Sequence, residues 1–204
     1  MGQIFLNSYK PLCATKIGRE AIENYKQLPF VDASNRREPN LEGDFGSISS
    51  LCRRGLLISK LNLGDKVVYI TKKGRYKEGI ADRHWCLTTI FEIINECSTH
   101  KEAAEWFKQK NIIIPSNCIV EGNLPLDNIL TGYKCFDEER YRRRATEFPT
   151  YYICRKLFIE LKLPSVITER DFNIIFGKIP GKQNPRKITE EQYKELIKVC
   201  KIKI

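Results

Sequence analysis

The chain has 204 residues and a formal net charge of +10, long enough for one domain, or one domain with an appendage, because chains usually divide only above roughly 250–300 residues. Hydrophobic residues at 42% and charged residues at 29% exclude wholesale disorder, nine prolines and twelve glycines exclude a linker or collagen-like chain, and no apolar run approaches the roughly 20 residues that span a bilayer. The charge is uneven: residues 140–204 hold 16 of the 35 basic residues and 7 of the 25 acidic ones, which predicts a balanced unit over 1–139 followed by a basic helical extension over 140–204.

In chain order, Gln3–Ser8 alternates as a strand does. Lys16–Lys26 places Ile17, Ala21, Ile22 and Tyr25 on one helical face. A polar loop, Asp32 to Pro39, follows. Ser47 is expected to cap a short helix carrying Ile48, Leu51 and Cys52, with Gly55 at its left-handed stop. Leu61–Asp65 reads as a turn feeding the β-branched strand Lys66–Thr71, and Trp85–Ile94 as a second strand beyond a charged loop over 72–82. Thr99 and Glu102 form a capping-box pattern for a helix over His100–Lys110. Residues 115–136 make a loop rich in Pro, Asn and Gly, and a structureless stretch of that length tends to carry function. Tyr151–Leu161 reads as a strand. Thr168 with Asp171, and Thr189 with Gln192, cap two further helices, the last presenting Tyr193, Leu196, Ile197 and Cys200 inward.

The eight cysteines lie at least 11 positions apart and form no CxxC pair, so they read as buried small hydrophobes. His84, Cys86, Cys97 and His100 have zinc-ligand chemistry, but Trp85 between the first two argues for packing, and neither metal nor cofactor is expected. Glycine-rich phosphate loops, nucleophile elbows and zincin motifs are absent from the sequence. With two histidines, the chain reads as a binder rather than a catalyst, with no catalytic residue assigned. The lack of a signal-peptide core in MGQIFLNSYKPL points to a cytoplasmic protein without a membrane partner.

KLNLGDKVVYIT, followed by HWCLTTIFEIINECSTHKEAAEWF, resembles the PUA-like superfamily, which includes EVE, ASCH and YTH domains. Gly64-Asp65 with Val67-Val68-Tyr69 matches its turn and first strand, and Thr89 to Ile94 its second. The chain is also similar to bacterial and phage nucleotide-modification-associated domains. The resemblance implies an α+β fold: a small PUA-like β-barrel decorated by helices, the two β-rich stretches curling into a closed wall around a hollow for one flipped or free base. A nucleic acid or nucleotide is then the expected partner, and a modified base the expected occupant. Stacking on Tyr9, Tyr69 or Trp85, and edge contacts from Asp32, Ser34, Asn35 and Asn117, would hold the base. Arg36, Arg37, Arg53, Arg142, Arg143 and Arg144 would hold phosphate.

The bland alternatives are an Asx turn at Asp32 and arginines of 140–144 paired with Asp137–Glu139 at helical spacing. Two other functions stay open. One is a nucleotide-modifying enzyme using Asp32, Glu38 or Asp44. The other is a protein-interaction module in a phage–host conflict system.

Overall fold

The structure is a computed structural model, and it describes residues 2–51, 55–134, 137–177 and 185–203. Its frame is one mixed seven-stranded sheet with five α-helices, an α+β fold. The strands are β1 (Ile4–Tyr9), β2 (Gly46–Ile48), β3 (Lys66–Thr71), β4 (Trp85–Cys97), β5 (Tyr151–Ile159), β6 (Ser165–Ile167) and β7 (Arg186–Ile188). They run in the order β2-β5-β4-β3-β1-β7, with β6 pairing the start of β4. β1 lies parallel to β3, and the other pairs are antiparallel.

The two β-rich stretches either side of residues 72–82 do pair, Val67 opposite Phe91 and Tyr69 opposite Thr89. They do so inside an open sheet with β2 and β7 at its edges, so the expected closed barrel is corrected. Residues 140–204 likewise supply β5, β6 and β7; they are built into the sheet rather than appended as a helical extension.

Side chains alternate across a strand, and here both faces are covered. Phe5, Tyr9, Val67, Tyr69 and Phe91 enter one core, with Ala21 of helix α1 (Lys16–Tyr25) and with residues of the segments 30–48 and 57–61. Ile4, Leu6, Val68, Ile70, Trp85 and Leu87 enter the other, under helices α4 (Glu169–Phe176) and α5 (Glu190–Val199). Burial on both sides explains why β4 reads as a nearly continuous apolar run. Helix α2 (His100–Gln109) sets Ala103, Ala104 and Phe107 against Tyr151 and Ile153 in a third cluster. Helix α3 (Glu138–Glu147) is capped by the Asp137 side chain.

The helix starts follow the local chemistry. Thr168 with Asp171 and Thr189 with Gln192 form complete capping boxes. At α2 Thr99 caps as expected, but the Glu102 carboxylate reaches back to the N–H of Ser98 instead of Thr99. Ser47 does not start a helix among the described residues, and Cys52 of the expected helix lies outside them. Ser47 sits in β2 opposite Ile153, and its backbone bonds Asn40 on the other side. Three residues are too few for periodicity to distinguish a strand from a helical turn.

Gly46 marks where β2 crosses the core. A Cβ there would fall 2.1 Å from Cζ of Phe91 and 2.3 Å from its Cε1. Overpacking of this kind costs about 1–3 kcal/mol. Gly46→Ala is therefore expected to lower Tm by at least about 2 °C, since about 1 kcal/mol shifts a chain of this size by roughly 2–4 °C; an unchanged thermal melt contradicts this packing.

Candidate functional site

The polar segment 32–40 is buried almost throughout. Asp32 accepts hydrogen bonds from the Ser34 N–H and hydroxyl and from the Glu38 N–H, closing the turn. Asn35 donates to the Leu126 carbonyl and the Asn128 side chain. Arg36 is fully buried. It forks onto Glu138 and donates from Nη1 to the carbonyls of Ser116 and Asn123, each at 2.9 Å. Arg37 donates to the carbonyls of Asp32 and Leu130 and to the Gln27 and Glu42 side chains. Burial pulls the Arg37 guanidinium below its ordinary pKa, with Glu42 and Asp32 opposing.

The two arginines read as phosphate ligands thus spend their donors on the protein itself. A buried guanidinium keeps its charge only with acceptors around it, and backbone carbonyls supply them. Asp32 and the Asn35 amide nitrogen are likewise bonded within the protein, whereas Asn35 Oδ1 is buried with no hydrogen-bond partner among the described residues.

Glu38 is the exception that reaches a hollow. Its Oε2 accepts from the Ser49 N–H and hydroxyl and from Asn117 Nδ2, whereas Oε1 accepts the Ser49 N–H at 3.0 Å. Asn117 is itself held by the Ser47 and Tyr151 hydroxyls, at 3.0 and 2.7 Å; it is a buried positioning group for Glu38, not a ligand-facing one. Desolvation pushes Glu38 up to about 8, against the hydrogen bonds from Ser49 and Asn117, and the nearby Asp32 adds to the rise. Asp32 is raised too, again by burial first.

Beside Glu38 lies a hollow of about 20 Å³, walled by Asn7, Tyr9, Ser49 and Tyr69 and by Leu57 and Pro185; that is room for about one water. The Tyr9 and Tyr69 rings meet edge to face at 6.2 Å, and the Tyr9 hydroxyl donates to the Phe30 carbonyl. Of the residues read from the sequence, the structure brings Tyr9 and Tyr69 together here, with Glu38. Trp85 stands on the opposite face of the sheet, 4.4 Å from the Phe172 ring centre, with Lys73 over it, and does not line this hollow. Ser34 is half-buried on Asp32.

On α3, Arg142 pairs with Glu138 and Arg143 with Glu147, while Arg144 donates to the Leu51 carbonyl. The first two stay half-exposed, and the third fixes the chain. Arg53 lies outside the described residues. Sequence reasoning missed Asn7, Ser49, Leu57 and Pro185; the polar pair Asn7-Ser8 inside an apolar strand was the one available signal.

Among the described residues, no group of three or more His, Cys, Asp and Glu side chains could hold a metal. His84 takes the Tyr76 N–H on Nε2 and faces the Asp82 carbonyl with Nδ1. His100 accepts the Ile119 N–H on Nδ1, and burial holds it down to about 4, with the Arg36 charge second. Compared with known protein families the chain matches no family model, and no curated protein matches it.

Two predictions follow from the network. Arg36→Met strands two carbonyls and Glu138, and is expected to cost about 3 kcal/mol or more in a denaturant melt, whereas Arg142→Gln on the exposed helix face changes stability by less than about 0.5 kcal/mol. Equal effects would contradict the burial of Arg36. The second concerns pH. The native state keeps a proton on Glu38 between about 4.5 and about 8 that the unfolded chain releases, so stability falls as pH rises through that window. His100 acts oppositely, but only between about 4 and 6.5. Between pH 6.5 and 8 the melting temperature is therefore expected to fall, and Glu38→Gln to flatten the slope; identical slopes in both proteins contradict the assignment.

Proposed function

We propose that the chain binds a nucleotide or nucleic acid by taking the edge of one base onto Glu38. The carrying observation is a buried carboxyl at the wall of a hollow, with one oxygen bonded, among the described residues, by Ser49 alone and two tyrosine rings beside it. Oε2 is taken by Ser49 and Asn117, so Oε1 is the oxygen that meets the base: protonated it donates to a ring nitrogen, and ionised it accepts from an exocyclic amine. Asn7 and Ser49 line the same hollow.

At about 20 Å³ the hollow holds a water, not a heterocycle. Entry of a base therefore requires the Leu57 and Pro185 walls to move apart. Base stacking, worth roughly 1–3 kcal/mol, offsets that movement and the cost of unstacking. The resemblance of residues 60–107 to PUA-like domains supports the same reading and makes a modified base the favoured occupant. Phosphates would meet the half-exposed Arg142 and Arg143 and the other cations of a chain with a net charge of +10.

Protein purified without nuclease is expected to carry a nucleotide identifiable by mass spectrometry. Calorimetry with that nucleotide is expected to show at least about tenfold weaker binding in Glu38→Leu, which removes both donor and acceptor, roughly the worth of one charge-assisted hydrogen bond. A protein that carries none, and binds none of the common ribo- and deoxyribonucleoside monophosphates, contradicts the proposal.

A further inference from the structure

Tyr9 and Lys10 are consecutive, so they leave β1 on opposite sides. Tyr9 goes to the Glu38 hollow. Lys10 reaches outward, its Nζ 5.2 Å above the centre of the Tyr133 ring. Tyr133 is set there by the backbone: Ala33 N–H donates to the Lys10 carbonyl and Gly132 N–H to the Ala33 carbonyl, at 3.0 and 2.8 Å. Gly132 permits this approach, because a Cβ on it would lie 2.8 Å from that of Ala33 and 2.9 Å from the Thr15 hydroxyl. Arg37 holds the same loop through the Leu130 carbonyl.

Facing Tyr133 across a groove of about 480 Å³ is the side of α1 that carries Ile17, Ala21 and Tyr25, a volume in the range of small-molecule sites. Three large side chains line it while still open to solvent: Tyr25 at 46%, Ile129 at 49% and Tyr133 at 39% exposed. Lys134 stands at the rim and Glu20 on the wall, so an anion is steered to the Lys10 and Lys134 side.

We infer that this groove is a stacking platform for a nucleotide neighbouring the one in the hollow, which makes the ligand a single-stranded nucleic acid rather than a free nucleotide. The inference rests on the base-binding reading of the Glu38 hollow. Exposed aromatic faces with lysines beside them suit successive bases of any sequence, and Tyr9 at the end of β1 and Lys10 just after it join the two sites.

The test measures two ligands on each protein: a short fluorescein-labelled single strand of mixed adenine and cytosine by anisotropy, and adenosine and cytidine monophosphates by calorimetry. The double variant Tyr25→Ala with Tyr133→Ala removes exposed rings and is expected to melt like the parent. Loss of one stacked base is expected to weaken the oligonucleotide by about 5- to 150-fold and to leave mononucleotide affinity within about twofold. Tyr133→Phe, which keeps the ring, is expected to bind as the parent does. An oligonucleotide affinity unchanged by the double variant overturns the platform, as does a partner that proves to be a protein surviving nuclease digestion. If the parent binds the strand through these tyrosines but no mononucleotide, the hollow reading falls and the platform stands. If the parent binds neither ligand, both fall.

Discussion

Two adjacent arginines buried in one loop need many acceptors, and meeting that need organises this molecule. A guanidinium carries five N–H donors and does not lose its charge, so burial leaves acceptors as its recourse. Arg36 takes them from Ser116, Asn123 and Glu138, and Arg37 from Asp32, Leu130, Gln27 and Glu42. In doing so they tie the loop over 115–133 and the start of α3 to the segment that crosses the sheet. The loop has little regular structure of its own and is held from outside. Breaking one such contact leaves a buried charge or carbonyl unpaired, which costs more than forming the pair contributes.

Glu38 is the next residue in the chain, and its position follows from this anchoring. Asp32 holds the Glu38 N–H, and Ser49 and Asn117 hold its carboxylate. Burial raises both carboxyl groups, and Asp32 adds to the rise at Glu38. The same packing that anchors the loop thus leaves a titratable group of raised pKa at the wall of a hollow. The strand end Tyr9-Lys10 then faces two ways, toward this group and toward the tyrosine-lined groove of α1. A loop that is locked in place by Arg37 sets both walls.

The parts of the fold legible in the sequence were those with local causes. β3 was read over its full span because β-branched residues and a Gly64-Asp65 turn bound it, and α4 and α5 because Thr168 and Thr189 carry their own caps. The site was far less legible. A run such as Asp-Ala-Ser-Asn-Arg-Arg-Glu looks solvated, since charged residues are rarely buried unless paired, and the partners of Arg36 lie 80, 87 and 102 positions away. Nothing nearby announces them. The side that Trp85 takes was illegible for a related reason: in a sheet covered on both faces, alternation does not tell which core a side chain enters. The closed wall failed because pairing of two strands fixes their neighbours and not the curvature of the whole sheet.

The most direct test of the account is the titration of the Glu38 side chain, followed by NMR on protein with carbon-13 at the glutamate carboxyl, with and without the nucleotide. The account predicts that the free protein shows one glutamate resonance, removed by Glu38→Gln, with a midpoint near 8, and that nucleotide moves both its position and its midpoint. A Glu38 carboxyl that titrates at the ordinary value of 4.5 and ignores added nucleotide would contradict it.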